Sequence, residues 1–234
     1  MLDEKIFDSR EALLAALQED CVAVLDEALK ERDQASFLVS GGSSPAPLYQ
    51  RLSQIALDWK RIQVALVDER WVEPGHGKSN ETFVQKNLLQ HAAGQAPFLG
   101  MKNSAETAAE GLAACEQAYQ KLAQPFDLTI LGMGPDGHTA SLFPNAEGLE
   151  EALSTDSLCS AITAHQSEVT GEYTERMTLS LAGIVNSRRL VLLITGDEKL
   201  QALRAAQGEG PVGDMPIRAV LRQNKVPVTL YWAP

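Results

Sequence analysis

The sequence predicts an α/β protein built on an open, mostly parallel sheet with helices on both faces. Three observations lead there. Short apolar runs recur and close on turns rich in glycine or charge, and between them lie stretches with an apolar residue every three to four positions. The third is size: 44% hydrophobic residues in a chain of 234 can bury one large core. Strands that alternate with amphipathic helices need both sheet faces covered, which a parallel sheet with crossover helices provides. A single domain over residues 1–234 is the expectation.

Taken in order, Ser9 is placed to cap a long helix whose Leu13, Leu14, Leu17, Cys21, Leu25 and Leu29 form one stripe, ending near Asp33. Residues 36–40 read as a short buried strand, and Pro45 suits the first turn of a helix carrying Leu48, Leu52 and Ile55. A strand at 62–67, helices near 81–91 and 104–123, and a strand at 128–131 continue the alternation. Strands near 158–162, 176–179, 190–195 and 226–232 come next, with helices at 197–206 and 217–223. Residues 163–175 lack clear periodicity and read equally as a loop over a site or a surface connection.

Charge and cysteine usage narrow the function classes. Twenty basic against 31 acidic residues give a net charge of −11, which repels a nucleic-acid backbone or an anionic membrane, so an anionic ligand needs a locally positive site. Cys21, Cys115 and Cys159 are widely spaced, without a C-x-x-C pair, and point to neither a disulfide framework nor a zinc knuckle. The N-terminus shows no export signal and no apolar run approaches the roughly 20 residues that span a bilayer. A cytoplasmic location is expected.

Open α/β sheets bind ligands at the carboxyl ends of their strands, and three segments qualify. In Ser40-Gly41-Gly42-Ser43-Ser44-Pro45, freed backbone N–H groups, hydroxyls and a helix start can hold a phosphate, or the segment is simply a tight capped turn. No Walker lysine comes after it, and no second glycine closes a nucleophile elbow around Ser44. Asp68-Glu69-Arg70 packs three charges at a strand end, facing a ligand or pairing among themselves. Gly132, Gly134 and Gly137 match the spacing of a dinucleotide fingerprint, but Pro144 leaves no room for the long helix that fingerprint opens, and no acidic strand end lies about 20 positions on. These glycines make room for a small substrate beside His138, a group able to exchange protons near neutral pH. Asp136 either orients that imidazole or caps the adjoining turn. His76, His91 and His165 lie in unrelated contexts without metal-ligand spacing, so no metal site is indicated. Arg176 and Lys199 lie near other strand ends and can close an anion site, though singly each reads as a surface charge.

Together these segments resemble the 6-phosphogluconolactonases. The likeness rests on Ser40 to Pro45, on Val67-Asp-Glu-Arg-Trp-Val72 with Ser79-Asn80, on Asp127 to Pro144, and on Glu175-Arg-Met-Thr-Leu-Ser180 with Gly196 to Lys199, in the family's order across nearly the whole chain. Ser141-Leu142-Phe143 stands where the related glucosamine-6-phosphate deaminases have an asparagine–glutamate pair, and Ser44 stands where threonine is commoner. The resemblance implies a Rossmann-like fold similar to the deaminases and hydrolysis of 6-phospho-D-glucono-1,5-lactone to 6-phosphogluconate, the second step of the oxidative pentose phosphate pathway. It further implies His138 as general base, supported by Asp136, with Arg70 for the developing oxyanion. Gly41, Gly42, Ser43 and Ser44 with Arg176 and Lys199 would hold the 6-phosphate, and Gly132, Gly134 and Gly137 would form the glycine turn of the site. No cofactor or metal is called for, and a monomer or weak homo-oligomer acting on a small molecule, without nucleic-acid or membrane partners, is expected. The alternatives are a deaminase or isomerase on the same fold, and a non-catalytic sugar-phosphate sensor.

Overall fold

In the computed structural model, which describes residues 2–234, the chain runs β1 (Leu2–Ile6), α1 (Arg10–Glu31), β2 (Ala35–Val39), α2 (Ala46–Leu52), β3 (Ile62–Leu66) and β4 (Asp68–Arg70). It continues through α3 (Asn80–Asn87), β5 (Phe98–Leu99), α4 (Ala108–Tyr119), β6 (Phe126–Leu131), α5 (Leu149–Ser154), β7 (Cys159–Thr163) and β8 (Glu175–Leu179). The last elements are α6 (Leu181–Val185), β9 (Ser187–Thr195), α7 (Asp197–Gln207), α8 (Ile217–Arg222) and β10 (Val228–Ala233). Met1, which the single-domain expectation includes, lies outside the described residues.

Seven strands form one sheet in the order β1-β10-β9-β6-β2-β3-β5, every pairing parallel. Helix α1 shows why it lies where it does: the Ser9 hydroxyl accepts from the Ala12 N–H at 3.2 Å, and Leu13, Leu17, Cys21, Leu25 and Ala28 are buried along one face. At the start of β2 the buried Asp127 carboxylate of β6 accepts from the Ser36 N–H at 2.9 Å and pairs with Arg32, which fixes β2 beside β6. Helix α4 begins later than its periodicity predicts because Thr107 and Glu110 close a capping box there.

The expectation of one alternating series needs correction in its middle. Residues 158–162 and 176–179 are strands, but they belong to a second, antiparallel sheet of order β4-β8-β7. Asp68 to Arg70, read as a charged segment at the end of the 62–67 strand, is a strand of that second sheet. Tyr119 separates β3 from it: the phenol donates to the Leu66 carbonyl (2.7 Å) and accepts from the Leu66 N–H (3.1 Å), standing in for a strand neighbour.

The strand order creates the site. From β2 the chain moves outward to β3 and β5, and it then returns to β6 on the other side of β2. Connections leaving β2 and β6 therefore diverge, and a crevice opens between their carboxyl ends. The second sheet leans over that end, since the Leu179 N–H donates to the Val67 carbonyl and the Val67 N–H to the Val39 carbonyl.

Candidate active site

The crevice is a cleft of about 230 Å³, room for one small molecule. The turn after β2 lines it with Ser40, Gly41 and Gly42, the turn after β6 with Gly132, Gly134 and His138, and the second sheet with Asp68, Arg70 and Arg176. Lys199, from the first turn of α7, completes the basic residues. The three strand-end segments singled out in the sequence thus converge, because β6, β2 and β3 are neighbours.

His138 is held by its own loop. Its Nδ1 lies 2.6 Å from Asp136 Oδ1, which also accepts the His138 backbone N–H at 3.1 Å. With Nδ1 engaged, Nε2 is the nitrogen left for the cleft. Phe143 stacks on the ring at 4.4 Å between centroids. Gly134 is required here, since a Cβ would stand 2.1 Å from His138 Cε1, and Gly137 adopts φ 79° beneath Met215. Burial pushes the Asp136 carboxyl up, but the hydrogen bond and charge of His138 outweigh it and hold the carboxyl below its ordinary range.

Arg70 and Arg176 are directly opposite each other on β4 and β8, so both guanidinium groups rise from the same face. Arg176 is 3% exposed; its Nε donates to the Tyr173 carbonyl (2.7 Å), its Nη2 to the Thr170 carbonyl (2.9 Å), and its charge lies 5.2 Å from the Phe143 ring. Burial lowers its pKa to about 10, with the Arg70 charge adding to the fall and Asp68 opposing it. Arg70 Nη1 donates to Asn80 Oδ1 (2.6 Å) and to the Lys78 carbonyl (3.0 Å). Burial also lowers the pKa of Lys199, which has no ion pair among the described residues. Desolvated cations brought together without a full set of carboxylate partners are suited to an anion.

Not every expected residue reaches the cleft. Ser43 and Ser44 turn away from it and line a small separate hollow with Arg10, Leu13, Leu14 and Thr195, because the chain at Pro45 already enters α2. Asp136 and Gly137 act behind the surface rather than on it. Four residues without an individual assignment matter, Ser40 and Asp68 inside strand-end segments already singled out and Asn80 and Phe143 outside them. Ser40 lines the cleft, and its buried hydroxyl has no hydrogen-bond partner among the described residues. Asp68 is 7% exposed, accepts from Ser141 Oγ (2.6 Å) and Asn80 Nδ2 (3.2 Å), and brings one negative charge to the arginines. Asn80 presses so closely on Gly41 that a Cβ there would fall 2.1 Å from its Oδ1. Phe143 packs between His138 and Arg176. The advance signals were, for Ser40 and Asp68, their strand-end segments, and for Asn80 and Phe143 only the segments that carry the resemblance.

Fold and site define an open α/β enzyme with a histidine–aspartate pair facing two arginines and a lysine across a small cleft. The chain belongs to the family of glucosamine-6-phosphate isomerases/6-phosphogluconolactonase, whose model matches residues 8–232. It is 41% identical over 229 residues to the 6-phosphogluconolactonase of Rhizobium meliloti (strain 1021), covering 98% of this chain and 97% of that one. To the 6-phosphogluconolactonase of Pseudomonas aeruginosa it is 39% identical, covering 90% and 86%. Among solved structures, a 6-phosphogluconolactonase from Shewanella baltica superposes with a TM-score of 0.94 at 41% identity, covering 100% of this chain and 98% of that chain. A monomeric glucosamine-6-phosphate deaminase, 19% identical with a TM-score of 0.79, shares the fold.

Proposed function

We propose that the chain, as one domain, hydrolyses 6-phospho-D-glucono-1,5-lactone to 6-phosphogluconate by general-base activation of water. The observation that carries this reading is the His138 imidazole, anchored through Nδ1 to Asp136 in the same cleft as Arg70, Arg176 and Lys199. The names of its relatives supply the substrate. A δ-lactone is an activated ester, so one base and a water suffice and no acyl-enzyme serine is needed. Water gives a proton to His138 Nε2 as its oxygen attacks C1, forming the new C–O bond. The carbonyl electrons move to the exocyclic oxygen, where Arg70 stabilises the charge. As the tetrahedral intermediate collapses, the C1–ring-oxygen bond breaks and the imidazolium returns its proton to that oxygen. Asp136 holds the ring tautomer and supports the transient positive charge. Arg176, Lys199 and the Gly41–Gly42 turn hold the phosphate, and the cation pair supplies locally the attraction that a net charge of −11 withholds.

This reading puts the protein in the cytoplasm as a monomer or weak homo-oligomer, in keeping with three cysteines that are all free thiols. No helix among the described residues is long and apolar enough to cross a membrane. The test monitors freshly generated lactone with and without protein, against its spontaneous opening. His138→Ala is expected to fold and to lose about 10² to 10⁴ in kcat. Near-normal turnover by that variant would remove His138 from the mechanism, and release of ammonia from glucosamine 6-phosphate would favour the deaminase alternative.

A further inference from the structure

Glu69 is 1% exposed and does not touch the cleft, yet its carboxylate accepts four hydrogen bonds. Oε1 takes the N–H groups of Arg70 (2.7 Å) and Asn80 (2.7 Å), and Oε2 takes the Glu81 N–H (2.9 Å) and the Ser79 hydroxyl (2.9 Å). Capping α3 does not by itself call for this group, because the Ser79 hydroxyl already accepts from the Thr82 N–H at 3.2 Å. Burying a carboxylate is costly, and glutamate is rarely this enclosed.

What the four bonds do hold is Asn80. Anchored through its N–H, Asn80 accepts from Arg70 Nη1, donates to the Asp68 carbonyl (2.8 Å) and carboxylate, and packs against Gly41. Two walls of the cleft, the turn after β2 and the second sheet, therefore take their positions from one amide side chain, and that side chain takes its position from Glu69.

We propose that Glu69 is a positioning residue for the hydrolysis, acting through Asn80 to aim the Arg70 guanidinium at the reacting end of the substrate. The proposal rests on the role of Arg70 in stabilising the oxyanion. Gln at 69 keeps the shape but turns an acceptor edge into an NH₂ donor that faces N–H and hydroxyl donors, so Asn80 and Arg70 must shift. A displacement near 1 Å at a catalytic group costs on the order of 10² in rate.

The experiment is a double-mutant cycle on lactone hydrolysis with wild type, Glu69→Gln, Arg70→Ala and the double variant, each checked for folding by circular dichroism. Glu69→Gln is expected to lower kcat about 10²-fold with little change in KM, and to lower it less than about 3-fold once Arg70 is Ala. Equal losses in both backgrounds would assign Glu69 to the fold alone and overturn the proposal. Should Glu69→Gln not fold, Ser79→Ala removes one donor to Glu69 together with the α3 cap on Thr82, and whatever part of its loss acts through Arg70 must likewise vanish beside Arg70→Ala. The His138→Ala result separates the two levels: an inactive His138 variant with an additive cycle sinks only this inference, whereas an active one sinks the mechanism it rests on.

Discussion

His138 enters the cleft with one nitrogen committed, and Asp136 decides what the other can do. Replacing that carboxylate with an amide removes a negative charge 2.6 Å from the ring and allows the wrong tautomer. Asp136→Asn is expected to lower kcat about 10- to 100-fold with little change in KM, because the amide no longer fixes the ring tautomer. Near-normal kcat in that variant would reduce Asp136 to a turn cap. Stability gives an independent reading. Burial raises the Asp136 carboxyl and His138 lowers it further, so the folded value lies below the ordinary value near 3.8. A lowered carboxyl adds stability above its ordinary value and loses it as pH falls through the folded one, so as pH drops from about 5 towards 3 and below, urea midpoints are expected to fall off less in Asp136→Asn. The imidazole, its aspartate, the arginines, the lysine and the glycines were legible because each sits at a strand end or in a turn. Asp68 was marked only as one of three strand-end charges and Ser141 not at all, since a bond joining residues 73 positions apart leaves no trace in local spacing.

At the scale of elements, β4 and β8 set Arg70 against Arg176, an arrangement that destabilises a strand pair unless an anion joins the two charges. The Arg176 pKa, held down to about 10 by burial and then by Arg70, reports the same tension. On the proposed function, binding of 6-phosphogluconate is expected to relieve it and to stabilise the folded state by about 2.7 kcal/mol at a concentration near 100 Kd. For a chain of this size that is a rise of about 5–10 °C in Tm. Arg176→Met is expected to abolish most of the ligand-dependent rise and to raise KM more than it lowers kcat. A full rise in the variant would move the phosphate away from β8. Sequence periodicity could not separate these strands from the parallel ones. Cys159 to Thr163 and Glu175 to Leu179 are five residues each and mostly buried, and their direction depends on partners, not on pattern. Strand β1 escaped notice for a different reason: Leu2-Asp-Glu-Lys-Ile6 carries three charges in five residues, and it is a strand because β10 offers it an open parallel edge.

Across the whole molecule, the cleft joins two sheets that the sequence presents as one series. Residues 41–42, 132–138 and 170–176 come from three distant parts of the chain, and their common position comes from the divergence at β2 and β6, with the second sheet leaning over it. That the strand-end turns would converge on one cleft was readable; that the arginine-bearing strands form a separate roof was not. The proposed function draws on that roof, because Arg176 also fastens the segment above it through the Thr170 and Tyr173 carbonyls, and the Tyr173 hydroxyl lies 3.2 Å from His76 Nε2. An anion held between Arg176 and the Gly41–Gly42 turn should therefore tie both sheets together. Hydrogen exchange with and without 6-phosphogluconate tests this. Amides at 165–175 and at 40–44 are expected to slow together, by up to about 100-fold at 100 Kd if they open through ligand-free states, while those of the edge strand β1 exchange as before. Protection of the glycine turn alone would mean that the phosphate leaves the roof unengaged, and Arg176 would then serve the reacting end of the substrate.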